Sequence, residues 1–358
     1  MRELNVCIFG AGEIGTALAS LLTRSEGFAV KVIDPSEDAL DRLRKRHLNV
    51  KLQLSNGADS ARAALTEQDI AVAAVPEGAV KDVALAALAA DVHYLDFTCT
   101  TDEVKTTLAQ LSERRAVLSG CGVSPGLVGN IACSLLSAFS PVTDLTIRVG
   151  ANPTVRTNRL GYGQIWNLDG LISEYTRPSA AIRDGQVTWI EPLEGLETLT
   201  IDGVTYEGFT TAGGLGDLSI FGEVMPRNVT FKTIRYPGHL DYMRFLLDDL
   251  GLRHRRDMLR SLLANGLPII EDDVLLLVLT ARGLRGRQPV EKTAHYRFAA
   301  NPGLHAFNAL TSVAVGYAAT LLSLLLHDQL PKVGSGMHHH LDPQELIKSP
   351  YLKSLIRT

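Results

Sequence analysis

The sequence has few cysteines and no strong excess of charge of either sign. Its four cysteines, Cys7, Cys99, Cys121 and Cys133, show no C-x-x-C spacing, which argues against a disulfide framework. The net charge of −4 favours neither nucleic acid nor an anionic membrane as the main partner. Only three residues precede the first strand pattern, too few for a signal peptide. We therefore expect a cytoplasmic protein with free thiols.

Long apolar runs are also scarce, and residues 306–326 form the run that most resembles a membrane span. Polar side chains interrupt it at Asn308, Thr311, Ser312, Thr320 and Ser323. Histidines stand just outside it at positions 305 and 327. This composition favours a helix buried against a sheet.

A glycine-rich turn stands near the beginning of the sequence. Residues 4–9 are an apolar run typical of a buried strand, residues 16–23 have helical spacing, and residues 29–33 resemble a second strand that ends at Asp34. Between the first strand and the helix lies the G-x-G-x-x-G pattern of Gly10, Gly12 and Gly15. Strand, glycine turn, helix, strand and acid together predict a dinucleotide-binding βαβ unit.

Each glycine of this turn has a predicted role in binding a dinucleotide cofactor. Gly10 permits the tight turn, Gly12 lets the backbone approach a pyrophosphate, and Gly15 lets the helix pack closely. At the helix start, around Glu13 and Ile14, free N–H groups face the phosphates with the favourable end of the helix dipole.

The acid at the end of the second strand indicates which cofactor is bound. Asp34 is placed to accept hydrogen bonds from both ribose hydroxyls and would repel a 2′-phosphate, so NAD is favoured. Arg42 and Lys45 in the following helix leave NADP open. Later strand ends are expected to line the same crevice. These positions are Ala74, Val75, Pro76, Asp96, Thr98 and Gly122.

The order of elements predicts two domains of different class. Strands alternate with helices up to residue 118, which predicts an α/β domain with a Rossmann-type doubly wound parallel sheet. Hairpins around Asp184-Gly185 and Asp202-Gly203, and two long strands joined by a basic loop at 282–288, predict a second α+β domain with a mixed or antiparallel sheet. The expected ranges are 1–127 completed by a helix at about 303–330, then 128–302, and a tail at 331–358.

Several stretches together resemble one family. They are G-V-S-P-G at 122–126, N-L-D-G-L-I at 167–172, I-R-D-G at 182–185, E-P-L-E at 191–194, T-T-A-G-G at 210–214 and K-T-I-R-Y-P-G-H at 232–239. The sequence is similar to the saccharopine dehydrogenase/reductase family, and most of all to its lysine 6-dehydrogenase branch. The resemblance implies a Rossmann domain with an inserted second domain, a nicotinamide cofactor, and a homodimer or larger homo-oligomer.

The resemblance also implies oxidation or reduction at a carbon–nitrogen bond of a small amino acid or amine. Oxidative deamination of the terminal amino group of lysine is the first expectation. A saccharopine- or carboxynorspermidine-type reductase, which reduces the imine of two joined substrates, is the alternative within the family. A dinucleotide-binding sensor without catalysis is the alternative from another class.

Candidate site residues follow from the chemistry of an amino-acid substrate. Arg235 is expected to bind a carboxylate through its planar guanidinium, and His239 is the candidate general base. Lys232 and Asp96 complete the candidate catalytic set. Residues expected to line the substrate pocket are Tyr236, Asn167, Thr210, Thr211 and Gly213. Surface charges on a strand, a helix cap and a plain glycine turn are the simpler interpretations of these positions.

The histidine run near the end of the sequence does not suggest a metal site. His338, His339 and His340 are adjacent, so they cannot easily all face one ion, and the familiar zinc spacings are missing. An exposed loop is the expectation, with no metal.

Overall fold

The computed structural model describes residues 3–55, 57–98, 101–214, 216–300 and 307–357, apart from the side chain at position 223. The chain forms two compact units. Unit 1 contains Met1–Asn130 and Val313–Ser354, and unit 2 contains Ile131–Ser312 and Leu355–Thr358.

The helices and strands follow one another as the sequence pattern predicts over most of the chain. The first elements are β1 (Leu4–Phe9), α1 (Glu13–Leu22), β2 (Phe28–Asp34), α2 (Glu37–Arg44), β3 (Lys51–Leu54), α3 (Ala58–Ala64), β4 (Ile70–Ala73), α4 (Val80–Ala90), β5 (His93–Asp96), α5 (Asp102–Ser112), β6 (Ala116–Leu118) and α6 (Leu127–Leu136). Next come β7 (Val142–Pro153), α7 (Leu168–Thr176), β8 (Ser179–Arg183), β9 (Gln186–Ile190), β10 (Glu197–Ile201), β11 (Val204–Thr210), β12 (Asn228–Arg235), α8 (His239–Arg244), α9 (Arg256–Gly266), β13 (Asp273–Arg285) and β14 (Gln288–Ala299). The last are α10 (Ala309–Leu326), β15 (Gly334–Ser335), α11 (Pro343–Ile347) and β16 (Ile356–Arg357). Short 3₁₀ segments lie at Glu77–Ala79, Leu218–Val224, Leu252–His254 and Met337–His340, and a π-helical turn at Phe245–Asp249 continues α8.

Unit 1 is built on a parallel sheet. Its strands lie in the order β15-β6-β5-β4-β1-β2-β3, and every pair is parallel. The order of β1 to β6 is that of dinucleotide-binding folds, which confirms the predicted Rossmann-type sheet. A buried apolar cluster joins β4 and β5 to α3, α4 and α5. The carboxyl ends of all these strands therefore lie at one edge.

Unit 2 contains a mixed sheet, as predicted. Its strands lie in the order β10-β11-β12-β7-β13-β14-β16, with β8 pairing to β12 and β9 to β8. The pair β12–β7 is parallel and the other pairs are antiparallel. Both predicted hairpin turns are present, because Asp184-Gly185 and Asp202-Gly203 all adopt positive φ, as a two-residue type I′ turn requires.

Three segments differ from the sequence-based expectation. The prediction of a basic loop at 282–288 is wrong. Strands β13 and β14 remain paired as far as Arg285 and Gln288, so that only a two-residue turn connects them. Arg282 faces Glu291 across this hairpin, so the charges lie on an exposed ladder. Helix α3 has no counterpart in the prediction. Within the segment set apart as a tail, β15 adds to the sheet of unit 1 beside β6.

Helix α10 is the apolar segment that resembles a membrane span. Its length and hydropathy would allow a span, yet 83% of it is buried within the protein, as in core helices of soluble proteins. Its start is capped by Asp273, whose carboxylate accepts the Ala309 and Leu310 N–H groups. This agrees with the expectation of a buried helix, although residues 301–306 lie outside the described chain.

Candidate active site

The glycine turn of unit 1 has the shape of a dinucleotide site. Gly10 has φ +104°, and a Cβ there would lie 2.3 Å from the Ala74 carbonyl oxygen. A Cβ on Gly15 would lie 1.9 Å from the Gly10 carbonyl oxygen. A Cβ on Gly12 would meet nothing within 4 Å. Two glycines are thus required by the protein itself, whereas Gly12 leaves open space for a ligand to approach the backbone.

Alanine substitutions should separate these two roles. Gly12→Ala should keep the unfolding temperature, since its φ of −72° suits any residue, and should weaken dinucleotide binding at least about tenfold by blocking close approach. Gly15→Ala should lower the unfolding temperature by roughly 5–10 °C, because the backbone must shift to relieve the overlap. Thermal unfolding and calorimetric titration with NAD measure the two effects. Equal stability losses for both variants would contradict this assignment.

Asp34 lies at the end of β2, beside this turn. Its Oδ2 accepts the Ala11 N–H at 2.7 Å, and its Oδ1 accepts the Ser36 N–H at 2.8 Å. Each carboxylate oxygen retains a second lone pair. The acid therefore holds the turn in place and keeps the capacity to accept hydrogen bonds from ribose hydroxyls.

The other predicted cofactor positions lie at the same edge of the sheet. Ala74, Val75 and Pro76 follow β4, Thr98 follows β5, and Gly122 lies in the loop after β6. Glu13 and Ile14 begin α1, whose N-cap residue Gly12 offers no side chain to the free amides. These residues fit a dinucleotide, and their contacts with it remain a prediction.

Asp96 is a buried carboxylate at this edge. It is fully buried, and its Oδ1 accepts the N–H groups of Gly120 at 2.7 Å and Thr98 at 3.3 Å. The Tyr94 and Ser119 side chains lie beside this carboxyl group, but Oδ2 makes no hydrogen bond of standard geometry to the residues that the structure describes. Burial raises the pKa of Asp96 to about 6, against the opposing effect of the Gly120 hydrogen bond. A carboxylate of this kind can exchange a proton near neutral pH.

One of the three adjacent histidines near the end of the sequence is buried, contrary to the prediction. The exposed-loop prediction is wrong for His338, which is fully buried in unit 1. Its Nε2 donates to the Ser119 carbonyl at 3.0 Å, and Asn130 donates to the His338 carbonyl at 2.6 Å. Burial lowers the pKa of His338 to about 3. Among the described residues, no group of three or more His, Cys, Asp or Glu side chains could hold a metal ion.

Unit 2 contains a buried polar cluster around Arg235. The guanidinium is stacked over the Tyr162 ring, with its Cζ 4.5 Å from the ring centroid. Its Nε donates to the Tyr175 hydroxyl at 3.0 Å, and its Nη1 donates to the Ile234 carbonyl at 2.9 Å. Only 4% of the Arg235 side chain is exposed. The arginine is therefore a fixed cation in a region from which water is largely excluded.

His239 continues this cluster in its neutral form. Its Nδ1 lies 2.9 Å from the Leu160 carbonyl, which can only accept, so Nδ1 carries the proton. The Nε2 atom then accepts from the Tyr175 hydroxyl at 3.0 Å. Burial, with a contribution from the Arg235 charge, lowers the pKa of His239 to about 3. Because both ring nitrogens are engaged, this geometry favours a positioning role over the predicted role of general base.

The remaining predicted residues divide between this cluster and structural roles. Lys232 lies on the opposite face of β12, where it pairs with Glu197 at 3.3 Å and donates to the Gly195 carbonyl. Thr211 hydrogen bonds to Thr233 on the cluster's face of the sheet. The other positions have structural roles. Asn167 caps α7, Thr210 hydrogen bonds to Glu191 and Glu194, the Tyr236 hydroxyl donates to the Pro153 carbonyl, and Gly213 adopts a φ of +87°.

Two domain families match the chain in succession. The saccharopine dehydrogenase NADP binding domain matches residues 6–118, and the saccharopine dehydrogenase C-terminal domain matches residues 122–358. This chain belongs to the saccharopine dehydrogenase family. Family membership makes it an NAD(P)-dependent oxidoreductase, in agreement with the glycine turn of unit 1.

Solved structures show the same fold for this saccharopine dehydrogenase family member. Apo saccharopine dehydrogenase (L-Glu forming) from Saccharomyces cerevisiae is similar with a TM-score of 0.81 at 12% identity, over 99% of this chain and 98% of that chain. A probable dehydrogenase from Thermotoga maritima is similar with a TM-score of 0.50 at 9% identity, over 99% of this chain and 98% of that chain. At these identities the likeness concerns the fold alone.

Glu174 is a charged member of the Arg235 cluster that the sequence analysis missed. Its Oε2 lies 3.6 Å from the Arg235 Nη2 atom, and 22% of its side chain is exposed. Burial raises the pKa of Glu174 to about 7, against the opposing charge of Arg235. A single glutamate in a helix carries no signal of this role.

Proposed function

We propose that this protein is an NAD-dependent dehydrogenase that oxidatively deaminates the terminal amino group of L-lysine or a related amino acid. The observation that carries the proposal is the buried, hydrogen-bonded guanidinium of Arg235 in the unit matched by the family's C-terminal domain. A fixed planar fork suits the α-carboxylate of an amino acid. Asp34 supports NAD, because its carboxylate suits a free ribose and repels a 2′-phosphate.

The reaction requires the neutral amine. The substrate ammonium first loses a proton, the adjacent carbon gives up a hydride, and water converts the resulting imine to an aldehyde and ammonia. The bound nicotinamide supplies the hydride acceptor. We assign proton acceptance to Asp96 at Oδ2, since a carboxyl group with a pKa of about 6 is ionised at the alkaline pH that favours neutral amines. His239 and Tyr175 would fix the orientation of Arg235.

The proposal includes a cellular setting and an assembly. A cytoplasmic enzyme that acts as a homodimer or larger homo-oligomer is consistent with the free thiols and with the family resemblance. Its only other partners would be NAD and the small substrate.

A panel of amines tests the proposed reaction. Purified protein with NAD is mixed with lysine, ornithine, diaminopimelate, saccharopine and simple diamines at mildly alkaline pH, and NADH formation is followed by absorbance. We expect NADH and ammonia from lysine in equal amounts, and no NADH when the cofactor is omitted.

Other outcomes identify the alternatives. Turnover of saccharopine without turnover of lysine would place the enzyme on the reductase branch. Absence of turnover across the panel, together with calorimetric binding of NAD, would favour a non-catalytic binding protein and contradict the proposed reaction.

A further inference from the structure

Glu174 and Arg235 form a pair of opposite charges with unused hydrogen-bonding capacity. Their closest approach, Oε2 to Nη2, is 3.6 Å, which is too long for a hydrogen bond. The Oε2 atom is buried and has no hydrogen-bond partner among the described residues. A carboxylate oxygen left in this state is costly unless a ligand satisfies it. The pair is therefore better explained as part of a ligand-binding site than as an internal salt bridge.

The surroundings hold this pair in a fixed geometry. The Arg235 guanidinium stacks on the Tyr162 ring, and its Nε donates a hydrogen bond to the Tyr175 hydroxyl. That hydroxyl in turn donates to His239 Nε2. Glu174 is the neighbour of Tyr175 on α7, and its backbone carbonyl accepts the Ala212 N–H at 3.0 Å. Helix α7 is itself capped by Asn167. The two charges are thus positioned by separate elements before any ligand arrives.

We infer that Glu174 and Arg235 together bind the head group of an α-amino acid, with Arg235 on the α-carboxylate and Glu174 on the α-ammonium. This inference rests on the proposed function and names the part of the substrate that unit 2 recognises. The α-carboxylate and the α-ammonium are bonded to the same carbon atom, so a site that binds both needs a positive and a negative side chain next to each other. The Glu174 side chain as a whole is 22% exposed, whereas its Oε2 atom is buried.

The charge balance of the pair makes it selective. A ligand with a carboxylate but no α-ammonium would bring a second negative charge next to Glu174, and like charges in a partly buried site repel strongly. Burial already raises the pKa of Glu174 to about 7. Among the described residues, the titratable groups that interact with its charge include Tyr162 and Tyr175 as well as Arg235. Above that pH the ionised carboxylate favours the zwitterion over an ω-amino acid that lacks the α-amino group.

Two substrates and one isosteric variant test the inference. Lysine carries both head-group charges, and 6-aminohexanoate lacks only the α-ammonium. Glu174→Gln should lower kcat/KM for lysine about tenfold, because a neutral hydrogen bond replaces a charge-assisted one. The same variant should raise kcat/KM for 6-aminohexanoate, since the repulsion is removed. Glu271→Gln, an exposed glutamate of the same unit, is the matched control and should change neither value.

The ratio of the two kcat/KM values decides the outcome. A proportional loss for both substrates, or no change in either, would overturn the inference and leave Glu174 as a structural partner of Arg235. Thermal unfolding and NAD titration of Glu174→Gln establish that the variant is folded and binds cofactor.

Binding measurements separate this inference from the proposed reaction. If the wild-type protein turns over no amine, calorimetric titration of the NAD-saturated protein with lysine and 6-aminohexanoate replaces the kinetic ratio. Selective binding of lysine that Glu174→Gln abolishes would support the head-group site while the proposed reaction fails. Absence of lysine binding would overturn both.

Discussion

Arg235→Lys should lower kcat/KM for lysine about 100-fold, mainly through KM, because a charge-assisted hydrogen bond contributes about 1.5–3 kcal/mol and an ammonium cannot reproduce the planar fork. The substitution keeps the charge, so the loss reports geometry. It also removes the Nε donor to Tyr175, which loosens the bond that orients His239. Steady-state kinetics with lysine measure the effect.

Cadaverine, the diamine that lacks the carboxylate, distinguishes binding from stability in this experiment. The Arg235→Lys variant should turn over cadaverine as well as the wild type does, since no carboxylate is present to be recognised. Arg260→Lys is the matched control, because Arg260 is an exposed arginine of unit 2 that pairs with Asp169 at 3.1 Å. Equal losses for lysine and cadaverine would make Arg235 a structural residue, and unchanged kinetics would place it outside the pocket.

Asp34→Ala should weaken NAD binding about 100-fold, because two ribose hydroxyls lose a charged acceptor that is worth about 1.5–3 kcal/mol per bond. NADP should lose less affinity, since the substitution also removes repulsion of its 2′-phosphate. Asp34 also accepts a hydrogen bond from the Ala11 N–H, and the loss of this bond should lower the affinity for NAD and NADP equally. The ratio of the two dissociation constants, from calorimetric titration, therefore isolates the ribose contact.

A surface carboxylate of unit 1 provides the control for this measurement. Asp82 is exposed on α4, and Asp82→Ala should leave both dissociation constants unchanged. An equal loss of NAD and NADP affinity in Asp34→Ala would contradict the role of Asp34 in cofactor choice. The stability of the variant is checked by thermal unfolding.

Local patterns predicted much of this fold because their causes lie within a few residues. The glycine turn is predictable because Gly10 needs a positive φ and Gly15 lies against the Gly10 carbonyl, five residues away. The turns at Asp184-Gly185 and Asp202-Gly203 follow from residue type for the same reason. The basic segment after Ala281 misled the prediction, because cross-strand pairing extended both strands through it.

Residues that are distant in sequence make up the polar cluster of unit 2. Arg235 lies 60 positions from Tyr175, and His239 lies 79 positions from Leu160. Helix periodicity places Glu174 on a face of α7 but says nothing about which cation stands opposite. For His239, the predicted helix start already favoured a neutral imidazole, but the partners of its two ring nitrogens, Leu160 and Tyr175, follow only from the fold.

The sequence by itself determined the parallel sheet, its cofactor edge, the mixed second sheet and the position of Asp34, because backbone conformation and strand period are set by near neighbours. Strand alternation also predicted that Lys232 and Arg235 point to opposite faces of β12, and the structure agrees. Only the tertiary structure decided that His338 is buried and that Glu174 stands 3.6 Å from Arg235. Long-range register and packing fix these relations. Burial then sets the charge that each group carries, through the desolvation of its ionised form.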